Sequence, residues 1–309
     1  MKTEDKGNAL FTYMARCKNA ATAILHSDSM ILNEVNNPTV DNRVNLHFWD
    51  SRIEIGEQCP YNLGDNLSET IVSWMLEKRG LSLNTSINKT KHLYAIGSII
   101  TMGYQNATIW GSGILEPLSR VRRFFNSAEC RHLDIRAVRG PKTRKVLQSI
   151  GHNCPAVYGD PALLLPLLYQ TNEVDLDKKL EYFIIPHFSK EMEYAEKYGR
   201  SFIGSMITND YSNLINQIST SNKVISGSLH GIILSEAYGI PAIFLRDRAA
   251  YKDFKYEDYY QSTGRDNFTY ATTIEEAIDM EPMPLPTNIK ELQDGLLASF
   301  PYDLWLNDM

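Results

Sequence analysis

The sequence predicts an α/β fold built on two parallel-sheet units. Three features carry that expectation: short apolar runs alternate with helical spacing, the alternation comes in two blocks separated by a polar stretch over 170–179, and glycine or small polar residues stand where apolar runs hand over to helices. The expected architecture is two Rossmann-like, doubly wound domains facing a cleft, residues 1–170 and 171–309. In the first block, apolar runs predict strands over 44–49, 92–100, 108–111, 133–138 and 156–158, with helices over 67–79 and 141–150. Gly80 and Gly151 follow those helices as natural stops. The second block predicts strands over 182–185, 200–204, 224–226 and 242–245, with helices near 191–198, 211–219 and 229–238. Helical spacing of Ile289, Leu292, Leu296 and Leu297 predicts a final helix that packs back across one of the domains.

Composition narrows the function classes. The 309 residues, 43% hydrophobic and 22% charged, are enough for two cores. A net charge of −6 argues against a duplex-binding protein, which needs a clustered basic surface. Cys17, Cys59, Cys130 and Cys154 form no C-x-x-C pair and read as reduced thiols. No apolar run reaches the roughly 20 residues that span a bilayer, and the first residues lack a secretory apolar segment, so a cytoplasmic protein is expected.

Ligands of such folds bind beyond the carboxyl ends of strands, which directs attention to the strand-to-helix junctions. At one of them the strand Val224-Ile-Ser226 is followed by Gly227 as a turn and Ser228 as an expected N-cap, which puts His230 in the first helical turn. Free N–H groups and the positive helix end favour an anion there, and an anion would keep the imidazole protonated and able to donate a proton. The plainer alternative is a histidine hydrogen-bonded to backbone. Arg139, before Gly140-Pro141, is a cation at a strand tip that could grip phosphate or carboxylate through two N–H groups, or form an exposed salt bridge. In Asn62-Leu-Gly64-Asp65-Asn66, Gly64 is expected to turn the chain and Asp65 or Asn66 to cap the next helix. Capping accounts for one of the three polar residues, leaving a hydrogen-bonding site for sugar hydroxyls or phosphate as the alternative. His187 lies just beyond a strand, and Lys252 or Lys255 could reach an anion from an aromatic segment that suits sugar stacking or a satellite core. Gly159-Asp160-Pro161 reads as an N-cap with proline at the first helical position.

In order along the chain, Asn-Leu-Gly-Asp-Asn at 62–66, Ile-Trp-Gly-Ser-Gly-Ile at 109–114, Arg-Ala-Val-Arg-Gly-Pro at 136–141, Tyr-Gly-Asp-Pro-Ala at 158–162, Ile-Pro-His at 185–187, Ser-Leu-His-Gly at 228–231 and Phe-Lys-Tyr-Glu-Asp-Tyr-Tyr at 254–260 resemble the polysaccharide pyruvyl transferase family. The resemblance runs from Val44 to Gly264. It implies a GT-B-like arrangement and transfer of the pyruvyl group of phosphoenolpyruvate onto two hydroxyls of one sugar, giving a cyclic ketal on a surface-polysaccharide precursor, often lipid-diphosphate-linked. It implies catalytic roles for Arg139 and His230. The donor side then falls at Ser228, Gly231, His187 and Lys252 or Lys255, and the acceptor side at Asn62, Gly64, Asp65 and Asn66. Phosphoenolpyruvate is a co-substrate, and neither a cofactor nor a metal is expected. Location at the inner membrane face through the acceptor, without an anchor in the chain, follows from the same likeness.

Two rival readings remain at this level. Ser-Glu-Ala-Tyr-Gly-Ile-Pro at 235–241 looks like the segment in which nucleotide-sugar glycosyltransferases of the same architecture set a glutamate, here Glu236, against the donor ribose. A non-catalytic saccharide-binding protein would keep the cleft and lose the chemistry, against which the retention of Arg139 and His230 argues.

Overall fold

The computed structural model describes residues 39–49, 61–101, 105–115, 131–171, 180–247 and 253–306. Cys17, Cys59, Cys130 and Lys252 lie outside them. Cys154 is buried, and burial pushes its thiol up to about 11.

The first sheet joins β1 (Val44–His47), β2 (Lys91–Tyr94), β3 (Ala107–Trp110) and β4 (Leu133–Ala137) in sequential order, all parallel. Helix α1 (Leu63–Glu77) follows β1 and buries Leu63, Leu67, Ile71 and Met75, an i, i+4 stripe that faces the core. Helix α2 (Pro141–Ser149) follows β4. Then come a 3₁₀ turn, Pro161–Leu164, and the short helix α3 (Leu165–Leu168). Gly80 and Gly151, at φ 66° and 98°, take the left-handed conformation that stops α1 and α2, as their positions predict.

The second sheet joins β5 (Phe183–Ile185), β6 (Val224–Ser226), β7 (Ala242–Leu245) and β8 (Tyr270–Ala271), again parallel. The residues of β5, β6 and β7 are all buried, which fits a parallel sheet covered on both faces. Its helices are α4 (Glu191–Tyr198), α5 (Tyr211–Ser219), α6 (Leu229–Ala237), α7 (Asp253–Ser262) and α8 (Ile274–Asp279). Ile184 of β5 pairs with Ile225 of β6 and also bridges Ile203. Since a strand has two edges, the chain leaves β5 to one flank and returns on the other. That reversal of strand order between β5 and β6 is where such sheets hold ligands. Among the described residues the first sheet shows no such reversal.

Several expected elements differ. Residues 200–204 form a 3₁₀ turn, Arg200–Phe202, and a single bridge at Ile203, because Gly199 and Gly204 bracket too short a run to make a ladder. Residues 156–158 likewise contribute one bridge, Val138 to Tyr158, between Pro155 and Gly159. Helix α1 begins four residues before the expected Leu67, so the N-cap position is Asn62, and Asp65 and Asn66 lie inside the helix. Residues 253–260 of the basic-aromatic segment lie in helix α7, where Tyr256, Tyr259 and Tyr260 are buried in the core and so are not open to a sugar, while Tyr251 lies outside the described residues. The two-residue β8 and the short α8 had no periodic signal long enough to read.

The final helix, α9 (Ile289–Ala298), packs back as its spacing predicts, and it does so onto the first sheet's half. Trp110 Nε1 donates to Leu296 O at 3.0 Å, Gln293 Nε2 to Leu163 O at 2.8 Å, and the Phe300 ring meets Trp110 edge-on. Leu296 is fully buried. Leu296→Ala should therefore lower unfolding free energy by about 2–5 kcal/mol, read as a shifted denaturant midpoint with unchanged slope.

Candidate functional site

The carboxyl ends of the first sheet's strands bring small residues to one place: β2 runs into Gly97-Ser98, β3 into Ser112-Gly113, β4 into Arg139-Gly140, and the Tyr158 bridge into Gly159-Asp160. Backbone bonds tie the loops together, with Gly113 N to Gly97 O at 2.9 Å and Arg139 N to Ser112 O at 3.1 Å. The N-terminal turn of α1 lies beside them and is joined to the second half by Leu63 N to Met206 O at 2.9 Å. From that second half, α6 brings His230 and α7 brings Asp258.

His230 occupies the first turn of α6, at the carboxyl end of β6 and at the strand-order reversal. Its surroundings are two carboxylates of the other half. Nε2 is buried without a hydrogen-bond partner and lies 3.7 Å from Asp160 Oδ2. The Nδ1 edge rests on Gly64, where any Cβ would overlap the imidazole. Gly64 is thus a close-approach residue within α1, not the turn expected from sequence. Asp65 is buried, and its Oδ2 accepts from Asn62 Nδ2. Burial, the largest influence, pushes its carboxyl up to about 6, Asp160 raises it further, and His230, Lys255 and Arg139 oppose the rise.

Arg139 is fully buried and so neither an exposed salt bridge nor a fork open to solvent. Nη1 donates to Ser98 Oγ at 2.7 Å and Nη2 to Ile114 O at 2.9 Å, while Nε stands 3.3 Å from Asp258 Oδ2. Asp258 also accepts from Thr143 N at 2.9 Å and from Thr143 Oγ1 at 2.6 Å. Gly140, at the N-cap of α2, has no side chain to cap with, and a Cβ there would collide with the Asp258 backbone. Asp258 therefore caps α2 from the other half.

The remaining expected residues distribute as follows. Ser228 is at the N-cap of α6 but makes no side-chain cap bond; its N–H donates to Ser226 Oγ at 3.0 Å. Gly231 packs against Ser226 Oγ, with no room for a side chain. His187 follows β5, so it stands at the same reversal as His230, and its Nδ1 accepts from Ser189 N at 3.3 Å. Lys255, half-buried on α7, is near enough to Asp65 to influence it. The Oδ1 of Asn66 is buried without a partner. Gly64 packs against the His230 ring, and Asp65, also expected on the acceptor side, is near enough to His230 to feel its charge. Glu236 is buried and paired through both oxygens with Arg265, at 2.7 and 2.6 Å, and it accepts from Tyr259 OH at 2.7 Å. It neither faces solvent nor is open to a ribose.

Sequence reasoning missed Asp258 and the second oxygen of Asp160. An unusual glycine at a helix N-cap was a usable signal for the first. The cap reading of Asp160 is right, Oδ1 accepting from Ala162 N at 3.0 Å, but it leaves Oδ2 unused. Two cavities, of about 670 Å³ beside β8 and about 370 Å³ at the amino ends of β2–β4, include neither His230 nor Arg139. Among the described residues no group of three or more His, Cys, Asp and Glu is placed to hold a metal.

Strand-end loops from two parallel sheets, closing on a histidine set against carboxylates, define an α/β protein with a candidate site built from both halves. Residues 104–247 match the model of the polysaccharide pyruvyl transferase family, a stretch that includes Arg139, Asp160 and His230, and over it the chain is similar to transferases of polysaccharide biosynthesis. An uncharacterized protein of Acanthamoeba polyphaga mimivirus is 28% identical over 238 residues, covering 71% of this chain and 78% of that protein. No solved structure matches the chain.

The raised Asp65 carboxyl carries a sign. Its folded-state contribution is fully present below the ordinary carboxylate value of 3.8 and is lost as pH rises through about 6. Asp65→Asn should remove that loss, so the variant gains stability relative to the wild type between pH 4 and pH 7 by on the order of 3 kcal/mol, read from denaturant midpoints at the two pH values. Gly64→Ala should displace the His230 ring and abolish ligand-dependent stabilisation while leaving far-ultraviolet circular dichroism unchanged.

Proposed function

We propose that the protein transfers the pyruvyl group of phosphoenolpyruvate onto two hydroxyls of one sugar in a surface-polysaccharide precursor, forming a cyclic ketal and releasing phosphate. The observation that carries this reading is His230, an imidazole in the first turn of α6 at the strand-order reversal, with Asp160 beside it and Asp65 near; His230 and Asp160, though not Asp65, fall in the stretch similar to pyruvyl transferases. In the proposed mechanism His230 protonates the methylene carbon of phosphoenolpyruvate, creating an oxocarbenium-like centre at C2. One sugar hydroxyl adds there and loses its proton, the C2–O bond to phosphate breaks, and the second hydroxyl adds and loses its proton to close the ring.

The α6 amides with Ser228 and Gly231, together with His187 and one of Lys252 and Lys255, form the donor side in this reading, Lys255 being the lysine already near the site. Arg139 acts from behind, fixing the loop at Ile114 and holding a positive charge beneath the cleft. Asn62 and Asn66 face the acceptor in this reading, and the halves built on the two sheets close on it in a GT-B-like manner. The acceptor in this reading is a sugar of a surface-polysaccharide precursor, free or carried on a lipid diphosphate, and in the second case it is met at the cytoplasmic face of the membrane. No described helix is long and apolar enough to cross a bilayer. The pairing of Glu236 with Arg265 removes the residue on which the nucleotide-sugar reading rests.

Phosphoenolpyruvate at about 100 times its dissociation constant should stabilise the protein by roughly 2.7 kcal/mol, read as a raised melting temperature, while a panel of sugar nucleotides should leave it unmoved. His230→Ala should cut turnover by roughly two to four decades. Arg139→Ala is the poorer probe, because stranding buried Asp258 costs about 3–5 kcal/mol whatever the ligand does. Stabilisation by a sugar nucleotide alone would replace this reading with a glycosyltransferase.

A further inference from the structure

We infer that Asp160 is the positioning residue for His230, holding the imidazole by Nε2 and keeping it charged for proton donation. The inference rests on the reading of His230 as the proton donor. Asp160 is fully buried, and its two oxygens are in different situations. Oδ1 caps the 3₁₀ turn through Ala162 N, whereas Oδ2 has no hydrogen-bond partner and is aimed at the equally unpartnered His230 Nε2, 3.7 Å away. A buried carboxylate oxygen without a donor is costly, and a protonated imidazole is the compensation in reach. The carboxylate is also rigidly placed: Gly159 takes φ 134°, Pro161 fixes the next residue, and the cap bond holds the side chain. Gly64 packs against the ring beside Nδ1, where a side chain would overlap it, so the imidazole has little freedom to turn away and Nδ1 is the nitrogen left to donate the proton. A carboxylate on one nitrogen selects which nitrogen carries the proton and stabilises the imidazolium, so that an ordinary cap motif also serves the site.

Other charges bear on the same group. Asp65 comes from α1, Lys255 from α7 and Arg139 from the end of β4, all coupled to Asp65 together with His230 and Asp160. Of the other elements packed on α6, β6, β7 and α3 hold no acid or base, and α5 holds only Tyr211. Glu236, on α6 itself, is taken by Arg265. Asp160 is therefore the carboxylate in closest reach of Nε2, and Asp65 is the second acid in a coupled set.

Asp160→Asn separates the two functions of the side chain, since asparagine caps as well as aspartate but carries no charge. Asp160→Ser, also a capping residue, is the second variant should asparagine fail to fold. The ring resonances of His230, assigned by their loss in His230→Gln, are followed against pH by NMR in wild type and variant, with no substrate present. The expected result is a titration midpoint about one pH unit or more lower in the variant. With phosphoenolpyruvate and acceptor, kcat should fall and its pH profile shift in the same direction, while KM for phosphoenolpyruvate changes little. An unchanged midpoint overturns the proposal even if turnover falls. A lowered midpoint in a protein that never uses phosphoenolpyruvate upholds the pairing and sinks the donor reading instead.

Discussion

The buried contact between Arg139 and Asp258 is the constraint from which the rest of the arrangement follows. A guanidinium and a carboxylate, both shut away from water, are tolerable only when nearly every polar atom is matched, and here Ser98, the Ile114 carbonyl and Thr143 do the matching. The partners come from opposite halves: Arg139 from the end of β4, Asp258 from α7. Gly113 and Gly140 let them meet, since a side chain at either would strike the guanidinium or the Asp258 backbone. Separation of the halves would leave two uncompensated ions and an uncapped α2 at once.

His230 depends on that docking. On its own helix it would be one more residue in a first turn, with an unobstructed ring and a partly solvated environment. Against the first half it gains Gly64 on one edge and Asp160 on the other, with Asp65 close by. Each carboxylate is unfavourable alone in a dry place, and together they raise the value of a positive charge between them. The chemistry attributed to one residue is therefore distributed over both halves.

Much of this was legible in the sequence, and the reasons are local. β6, Val-Ile-Ser, and β7, Ala-Ile-Phe-Leu, are short runs of mostly apolar residues, and α2, α4 and α5 carry helical spacing, so their existence and near limits could be read. His230 could be placed because the turn at Gly227-Ser228 after Val224-Ile-Ser226 fixes where the first turn of the largely buried helix falls. What could not be read depends on contacts between distant residues. Gly64 looks like a turn glycine until His230 is beside it. Arg139 looks like a surface cation until Asp258, more than a hundred positions later, reaches it. Glu236 looks like a cleft residue until Arg265 engages both its oxygens. The aromatic run of α7 gave no helical period because its rings point into the core in several directions, Tyr256 toward Phe244 and Tyr259 toward Glu236.

The returning α9 places a temporal demand on the molecule. A ribosome makes the first sheet's half early, yet the Trp110 indole finds its acceptor at Leu296, Leu163 gains its donor from Gln293, and Tyr302 reaches back to the Met75 carbonyl. Those positions emerge only after the whole second half has been synthesised. The half that is translated first is consequently the last to be completed, and it must persist through elongation as an open-faced intermediate, with apolar surface that a chaperone or a neighbouring nascent chain could recognise.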